Sequence, residues 1–168
     1  MKTPRLKKAA LGLGLAVFWL LGTTPGMAQQ FSRGNALVNQ SAYAMDREQW
    51  HQGVSLAEDA LRSGEVTLDN LPAAYNNLCI GLTGLRRFDE AVSACNKALE
   101  LKPRQWITYN NRANIFFYQG QFDKALAEYY KALTFSPSGT VLLSNISLTL
   151  SYRQRGGPGG RPGSEKSS

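Results

Sequence analysis

The feature that most constrains this chain is an internal repeat with a period of 34 residues. Residues 75–103 align with residues 109–137, and ten of the 29 aligned positions are identical. A fixed period of this size is typical of proteins built from stacked, similar units. The repeat therefore predicts an array in which each unit buries its apolar face against a neighbour, since one such unit is too small to bury it alone.

Each unit has the pattern of two helices. In the second copy, residues at spacings of four and three define one face on each helix, namely Tyr109, Ala113 and Phe116, then Ala125, Tyr129 and Ala132. Residues 119–121 break the first helix, and Pro137 ends the second. The pattern predicts an all-α fold of antiparallel helical hairpins, and the alanines permit the helices to approach closely.

These residues resemble the tetratricopeptide repeat family. Its pattern is matched by Tyr109, Ala113, Phe116, Gly120, Phe122, Ala125, Ala132 and Pro137. The preceding copy departs from it at Cys79, Leu82 and Arg86, where the family has a small residue, an aromatic residue and a glycine. The resemblance implies hairpins stacked as a short right-handed superhelix that binds a protein or peptide.

The repeat pattern also predicts the domain organisation. A weaker unit comes first, because residues 50–61 align with residues 88–99 at a shift of 38. We expect a tetratricopeptide repeat domain over 34–152, made of a degenerate repeat at 34–64, repeats at 72–105 and 106–139, and a capping helix at 140–155. Residues 156–168 hold five Gly, two Pro and three Ser, which predicts a disordered tail.

The amino terminus has the layout of a secretory signal peptide. Four basic residues lie within 1–8, residues 9–21 are uncharged and mostly apolar, and small residues stand at Gly26 and Ala28. An uncleaved membrane anchor is the alternative, but a spanning helix needs about 20 apolar residues. We therefore expect a signal peptide over 1–28, a mature chain that starts at Gln29, and a periplasmic or secreted protein with no stable membrane insertion.

Charge and composition argue against several functions. The chain carries a formal charge of +7, but residues 29–152 hold 11 basic and 11 acidic residues, so nucleic-acid binding through a basic face is not expected. One histidine and two cysteines are too few for a structural zinc site. We expect no metal or cofactor. We also expect no enzymatic activity, because His51 lies inside a helix far in sequence from both cysteines and is best interpreted as an ordinary, partly exposed helix residue.

The candidate binding residues are asparagines that recur on the first helix of each hairpin. The helices of a tetratricopeptide array that line its concave groove are these first helices, and a primary amide can both donate and accept hydrogen bonds. The candidates for a peptide-binding groove are Asn76, Asn77, Asn110, Asn111, Asn114 and Tyr118. Family members that grip a carboxyl-terminal tail add basic residues, which are not evident here. The alternative is that the asparagines bond neighbouring helices or only pack.

Cys79 and Cys95 lie on opposite helices of one hairpin, at similar distances from its turn. An exported compartment permits a disulfide, although its Cα atoms must lie within about 7 Å and helix axes usually pack at about 8 to 10 Å. The sequence leaves this bond open. It favours an exported protein–protein interaction module, and the alternative is a structural or assembly subunit that oligomerises through its repeat ends.

Overall fold

The computed structural model describes the backbone of residues 25–156 and the side chains of residues 33–156. This part of the chain forms helices and no strands, in the order α1 (Pro25–Asp46), α2 (Trp50–Ser63), α3 (Leu71–Gly84), α4 (Phe88–Leu101), α5 (Trp106–Tyr118), α6 (Phe122–Leu133) and α7 (Thr140–Gln154). The helices pair as hairpins α1–α2, α3–α4 and α5–α6, and α7 packs on α6. The predicted all-α helical-repeat superhelix is confirmed.

The ends of the chain bear on two predictions. The basic and apolar parts of the predicted signal peptide and all but the first residue of the predicted tail lie outside the described residues. The first helix, expected over 34–46, begins earlier, at Pro25. Within residues 25–156, no helix combines the length and the apolar character needed to cross a membrane.

Small residues set the packing inside each hairpin. Ala91, Ala98, Ala125 and Ala132 are all fully buried, as the repeat pattern predicts. They belong to the faces with which α4 and α6 contact α3 and α5, and a larger side chain there would hold the helix axes apart. The apolar core includes one cluster around Met45 and Ile115, which joins residues of all three hairpins, and another around Tyr129 and Leu142.

The turn inside each hairpin contains one residue with a left-handed backbone. The φ angles are 57° at Glu48, 59° at Arg86 and 72° at Gly120, and the repeat alignment places these three residues at the same position. Only glycine adopts this conformation without steric cost. Two of the three turns therefore carry a strained residue where the family has glycine.

The cysteines of the second hairpin are joined. Their sulfur atoms lie at bonding distance, the Cα atoms are 5.2 Å apart, and both residues are fully buried. The sequence left this bond open because packed helix axes are usually too far apart for a disulfide. Here α4 can approach α3 closely, because its contact face contains alanines, including Ala91 and Ala98 at 0% exposure. The disulfide bond therefore holds α4 against α3.

Candidate functional site

A pocket opens between the second helix of the first hairpin and the first helices of the next two. Its volume is about 380 Å³. It is lined by Trp50 of α2, by Ile80, Thr83 and Gly84 of α3, by Arg86 in the following turn, and by Asn111, Asn114 and Tyr118 of α5. Apolar and aromatic walls combined with a few polar groups are typical of a ligand site.

Gly84 shapes the floor of this pocket. A Cβ atom at position 84 would collide with the indole of Trp50, so the ring lies directly against the backbone of α3. The repeat places Gly84 at the position that Tyr118 occupies one unit later. Loss of the side chain at position 84 makes room for Trp50, and the aromatic residue at position 118 supplies the facing wall.

Two amides on α5 offer complementary hydrogen-bonding groups to a ligand. The oxygen of Asn114 accepts a hydrogen bond from the hydroxyl of Tyr129 at 2.6 Å, so its NH₂ group is the part open to a ligand. Asn111 donates to the oxygen of Asn76 at 3.1 Å, and its own oxygen faces only a long 3.5 Å contact from Asn110. The pair thus presents one donor and one acceptor within a turn of helix, as a peptide backbone requires.

The bond from Tyr129 also links the pocket to the core. Tyr129 is 2% exposed, and its burial raises the pKa of its phenol to about 12. The phenol is therefore neutral at physiological pH and remains a hydrogen-bond donor to Asn114. Because the Asn114 oxygen is bonded to Tyr129, the Asn114 NH₂ group is the part available to the pocket.

Three of the predicted groove asparagines are buried. Asn77 donates to the carbonyl of Val38 at 3.0 Å and to the hydroxyl of Ser41 at 2.7 Å, which ties α3 to α1. Asn76 accepts from the hydroxyl of Thr108 at 3.0 Å, in addition to Asn111, which ties α3 to α5. These two side chains serve contacts between repeats and do not line the pocket.

Asn110 is the third buried asparagine, at 8% exposure, and its oxygen accepts a hydrogen bond from Asn145 of α7 at 2.8 Å. The expectation that Asn110 lies on the open groove is wrong, since its side chain points to the next first helix. Asn76, Asn77 and Asn110 therefore fit the alternative hypothesis, in which the asparagines bond neighbouring helices. Of the six predicted groove residues, Asn111, Asn114 and Tyr118 line the pocket.

Arg112 directly follows Asn111 on α5, which makes it a candidate cation for the groove. Its guanidinium forms a bidentate ion pair with Glu128 on α6 at 2.8 Å, and it also donates to Asn96 on α4 at 2.6 Å. The two charged side chains are about one-fifth exposed. Because this cation is already paired, it does not supply charge to the groove.

Arg86 is the cation that the pocket does contain. It is exposed at the rim, and its guanidinium carbon lies 5.1 Å from the ring centre of Phe88. Tyr118, 55% exposed, stands on the facing wall, with its ring 5.8 Å from that of Phe117 in an edge contact. Phe117 packs further against Tyr152, so this neighbour is a structural support for Tyr118.

Sequence reasoning missed Trp50, Ile80, Thr83, Gly84 and Arg86 as pocket residues. Two signals for them were present. Trp50 aligns with the first residue of the second helix in later hairpins, and Arg86 replaces a glycine. The contact between Trp50 and Gly84 could not be inferred, because it joins residues of different hairpins.

Among the described residues, no group of three or more His, Cys, Asp or Glu side chains is placed to hold a metal ion. His51 is exposed on α2, as the sequence predicted for a helix surface residue.

The fold and the pocket define a class, that of helical-repeat scaffolds with a groove along their first helices. Models of the tetratricopeptide repeat match residues 82–105 and 106–138. These two stretches, which together are about a third of the chain, therefore carry tetratricopeptide repeats.

Among solved structures, the chain is similar to the Arabidopsis OM64 TPR domain, with a TM-score of 0.65 and 16% identity over 73% of this chain and 98% of that one. It is also similar to the first TPR of Spaghetti (RPAP3) bound to an HSP90 peptide, SRMEEVD, with a TM-score of 0.63 and 15% identity over 71% and 94%. At such identities these structures show the shared fold.

Among curated proteins, the BBSome complex member BBS4 of Bos taurus is 38% identical over 73 residues, which are 44% of this chain and 14% of that protein. A DnaJ homolog subfamily C member 3 homolog of Dictyostelium discoideum is 28% identical over 93 residues, 55% of this chain and 18% of that protein. The chain thus spans less than a fifth of the length of either relative.

Proposed function

We propose that this chain is an exported interaction module that binds an extended peptide segment of a partner protein in the pocket between α2, α3 and α5. The observation that carries this proposal is the juxtaposition of Trp50 and Tyr118 across a pocket of about 380 Å³. Two aromatic walls around Ile80 favour an apolar peptide side chain as the anchor, since Trp and Tyr are enriched among the few residues that dominate binding energy.

Polar groups define how the peptide lies. The free donor of Asn114 and the acceptor of Asn111 fit one carbonyl and one amide of an extended backbone. Arg86 favours a carboxylate next to the anchor, because a guanidinium at the rim can pair with it. The solved RPAP3 complex, whose HSP90 peptide SRMEEVD is acidic, supports a peptide ligand for this type of groove.

A matched pair of tyrosines tests the pocket. Peptides are first selected on the purified protein from a random display library, and their affinities are then measured by fluorescence anisotropy. Tyr118→Ala is expected to weaken binding about tenfold or more. Tyr130→Ala is the control, because Tyr130 is similarly exposed, at 51% against 55%, but lies on α6 outside the pocket. Equal affinities for the two variants would contradict the proposed site.

The carboxylate preference has its own test. Arg86→Gln should weaken acidic peptides and leave neutral ones unchanged. Amidating the carboxyl terminus of a selected peptide then distinguishes a terminal carboxylate from a side-chain one. If amidation alone abolishes the affinity, the recognised group is the terminal carboxylate. If Arg86→Gln changes the affinity of no peptide, Arg86 does not take part in binding.

Export is supported by the signal-peptide layout and by the bond between Cys79 and Cys95, since disulfides persist in oxidising compartments. Amino-terminal sequencing of the protein from an exporting host should begin at Gln29, and finding Met1 would contradict cleavage of the signal peptide.

The disulfide has its own test. Denatured protein should show free thiols only after reduction. Because the cysteines are separated by 16 positions in the sequence, replacing both by Ser should cost about 3 kcal/mol of stability.

A further inference from the structure

α7 has one face in the core and an opposite face without a partner in the described structure. Leu142, Ile146 and Thr149 are buried against the third hairpin. On the other side, Leu143 and Leu148 are 53% and 47% exposed. Together with three serines, Ser144, Ser147 and Ser151, they line a shallow groove of about 590 Å³.

This face has the register of a hairpin interface. Leu143 and Ser147 fall 34 residues after Tyr109 and Ala113, which belong to the face of α5 that contacts its second helix α6. In α7 the same face is presented to the place where the next second helix would pack. Residues 156–168 do not have the composition of such a helix, because seven of the thirteen are Gly or Pro.

The residues that line this groove are also uncharged. Between Thr140 and Tyr152 there is no charged residue in thirteen. The outer face of a terminal unit in a repeat array is usually polar, because it must remain soluble. A neutral face with exposed leucines is instead suited to contact with another neutral helix.

We propose that this face docks against the same face of a second copy of the chain, with the two α7 helices antiparallel about a two-fold axis. Centred between residues 145 and 146, this arrangement sets Leu143 level with Leu148 of the second copy, and Ser144 level with Ser147. The serines allow the helix axes to approach closely, and the leucines cover the seam from both sides. The surface is thus self-complementary, as a two-fold interface requires.

Electrostatics agree with a second copy as the occupant. The residues that line the seam are uncharged. The nearest cation is Arg155, whose guanidinium donates to the hydroxyl of Ser151 at one end of the groove, and the antiparallel arrangement places the Arg155 side chains of the two copies at opposite ends of the seam. Antiparallel helices also bring the opposite ends of their dipoles together. One helix pair alone buries less than a standard interface of about 800 Å² per partner, so we expect a dimer that dissociates on dilution.

Sedimentation equilibrium of the purified chain over a range of concentrations measures this association. Twice the chain mass at high concentration, falling to the single mass on dilution, is the expected result. A single mass at every concentration up to about the millimolar range, where even weak binding of about −4 kcal/mol is visible, would overturn the proposal.

Variants locate the interface. Leu148→Glu should raise the dimer dissociation constant about tenfold or more, because it places a carboxylate in the seam. Leu101→Glu is the control, since Leu101 is equally exposed, at 47%, on α4. Leu143→Glu serves as a second variant, and circular dichroism verifies that each one folds. A dimer that survives both α7 variants, or is lost equally with Leu101→Glu, would overturn the proposal.

Discussion

Replacing Asn76 by Ala tests whether the buried asparagines hold the repeats together. The oxygen of Asn76 accepts hydrogen bonds from Thr108 at 3.0 Å and from Asn111 at 3.1 Å. Thr108 is fully buried, so its hydroxyl would lose its partner without access to water, at a cost of about 1 to 3 kcal/mol. The half-buried amide of Asn111 can turn to solvent and adds about 0.5 to 1 kcal/mol. We expect a total loss of about 1.5 to 4 kcal/mol.

Urea denaturation followed by circular dichroism measures this loss, provided that the m-value is unchanged. Asn39→Ala is the control, because Asn39 is exposed on α1 and its removal should stay within about 0.5 kcal/mol of neutral. The double variant Asn76→Ala/Thr108→Val removes both partners and should cost at least about 1 kcal/mol less than the sum of the single changes. An Asn76→Ala protein as stable as the Asn39→Ala control would refute this account of the asparagines.

Two further predictions concern the turns and the buried tyrosine. Glu48→Gly and Arg86→Gly should each raise the free energy of unfolding by up to about 1 kcal/mol. Each change removes the steric cost of a left-handed backbone, about 1 to 2 kcal/mol, but glycine also increases the conformational entropy of the unfolded chain, which offsets part of this gain. Gly120→Ala should lower it by a similar amount, and thermal unfolding curves that do not move in these directions would contradict the strain argument. Burial raises the pKa of Tyr129 from 10.0 to about 12, so its neutral form stabilises the folded state fully below pH 10.0 and this contribution is lost as the pH rises through about 12. Urea denaturation from about pH 8 upwards should therefore show a steeper loss of stability above pH 10.0 in the natural protein than in Tyr129→Phe, whereas parallel curves would contradict the raised pKa.

The fold was predictable because the repeat encodes it locally. Each hairpin depends on buried alanines at fixed spacing and on a turn, and both are visible in one sequence. Arg86 shows how strong this control is. It adopts φ 59° at the position of Gly120, because packing on both sides of the turn determines the backbone there even without glycine.

The groove was less predictable, and the reason is the geometry of a helix. Adjacent residues on a helix project about 100° apart, so Asn76 and Asn77, or Asn110 and Asn111, cannot all face one groove. The sequence shows that these amides recur, but the direction of each depends on where the neighbouring first helices lie. The pocket itself depends on Trp50 and Gly84, which meet only once the hairpins are stacked.

The two proposed surfaces are compatible with each other. The pocket is lined by residues of α2, α3 and α5 and of the turn after α3, whereas the proposed dimer seam is confined to α7. Because no lining residue is shared between them, a peptide in the pocket does not compete with a second copy at the seam. A dimer would then present two identical pockets, and a partner with two matching segments would bind it more tightly than either segment alone, since the second contact becomes intramolecular.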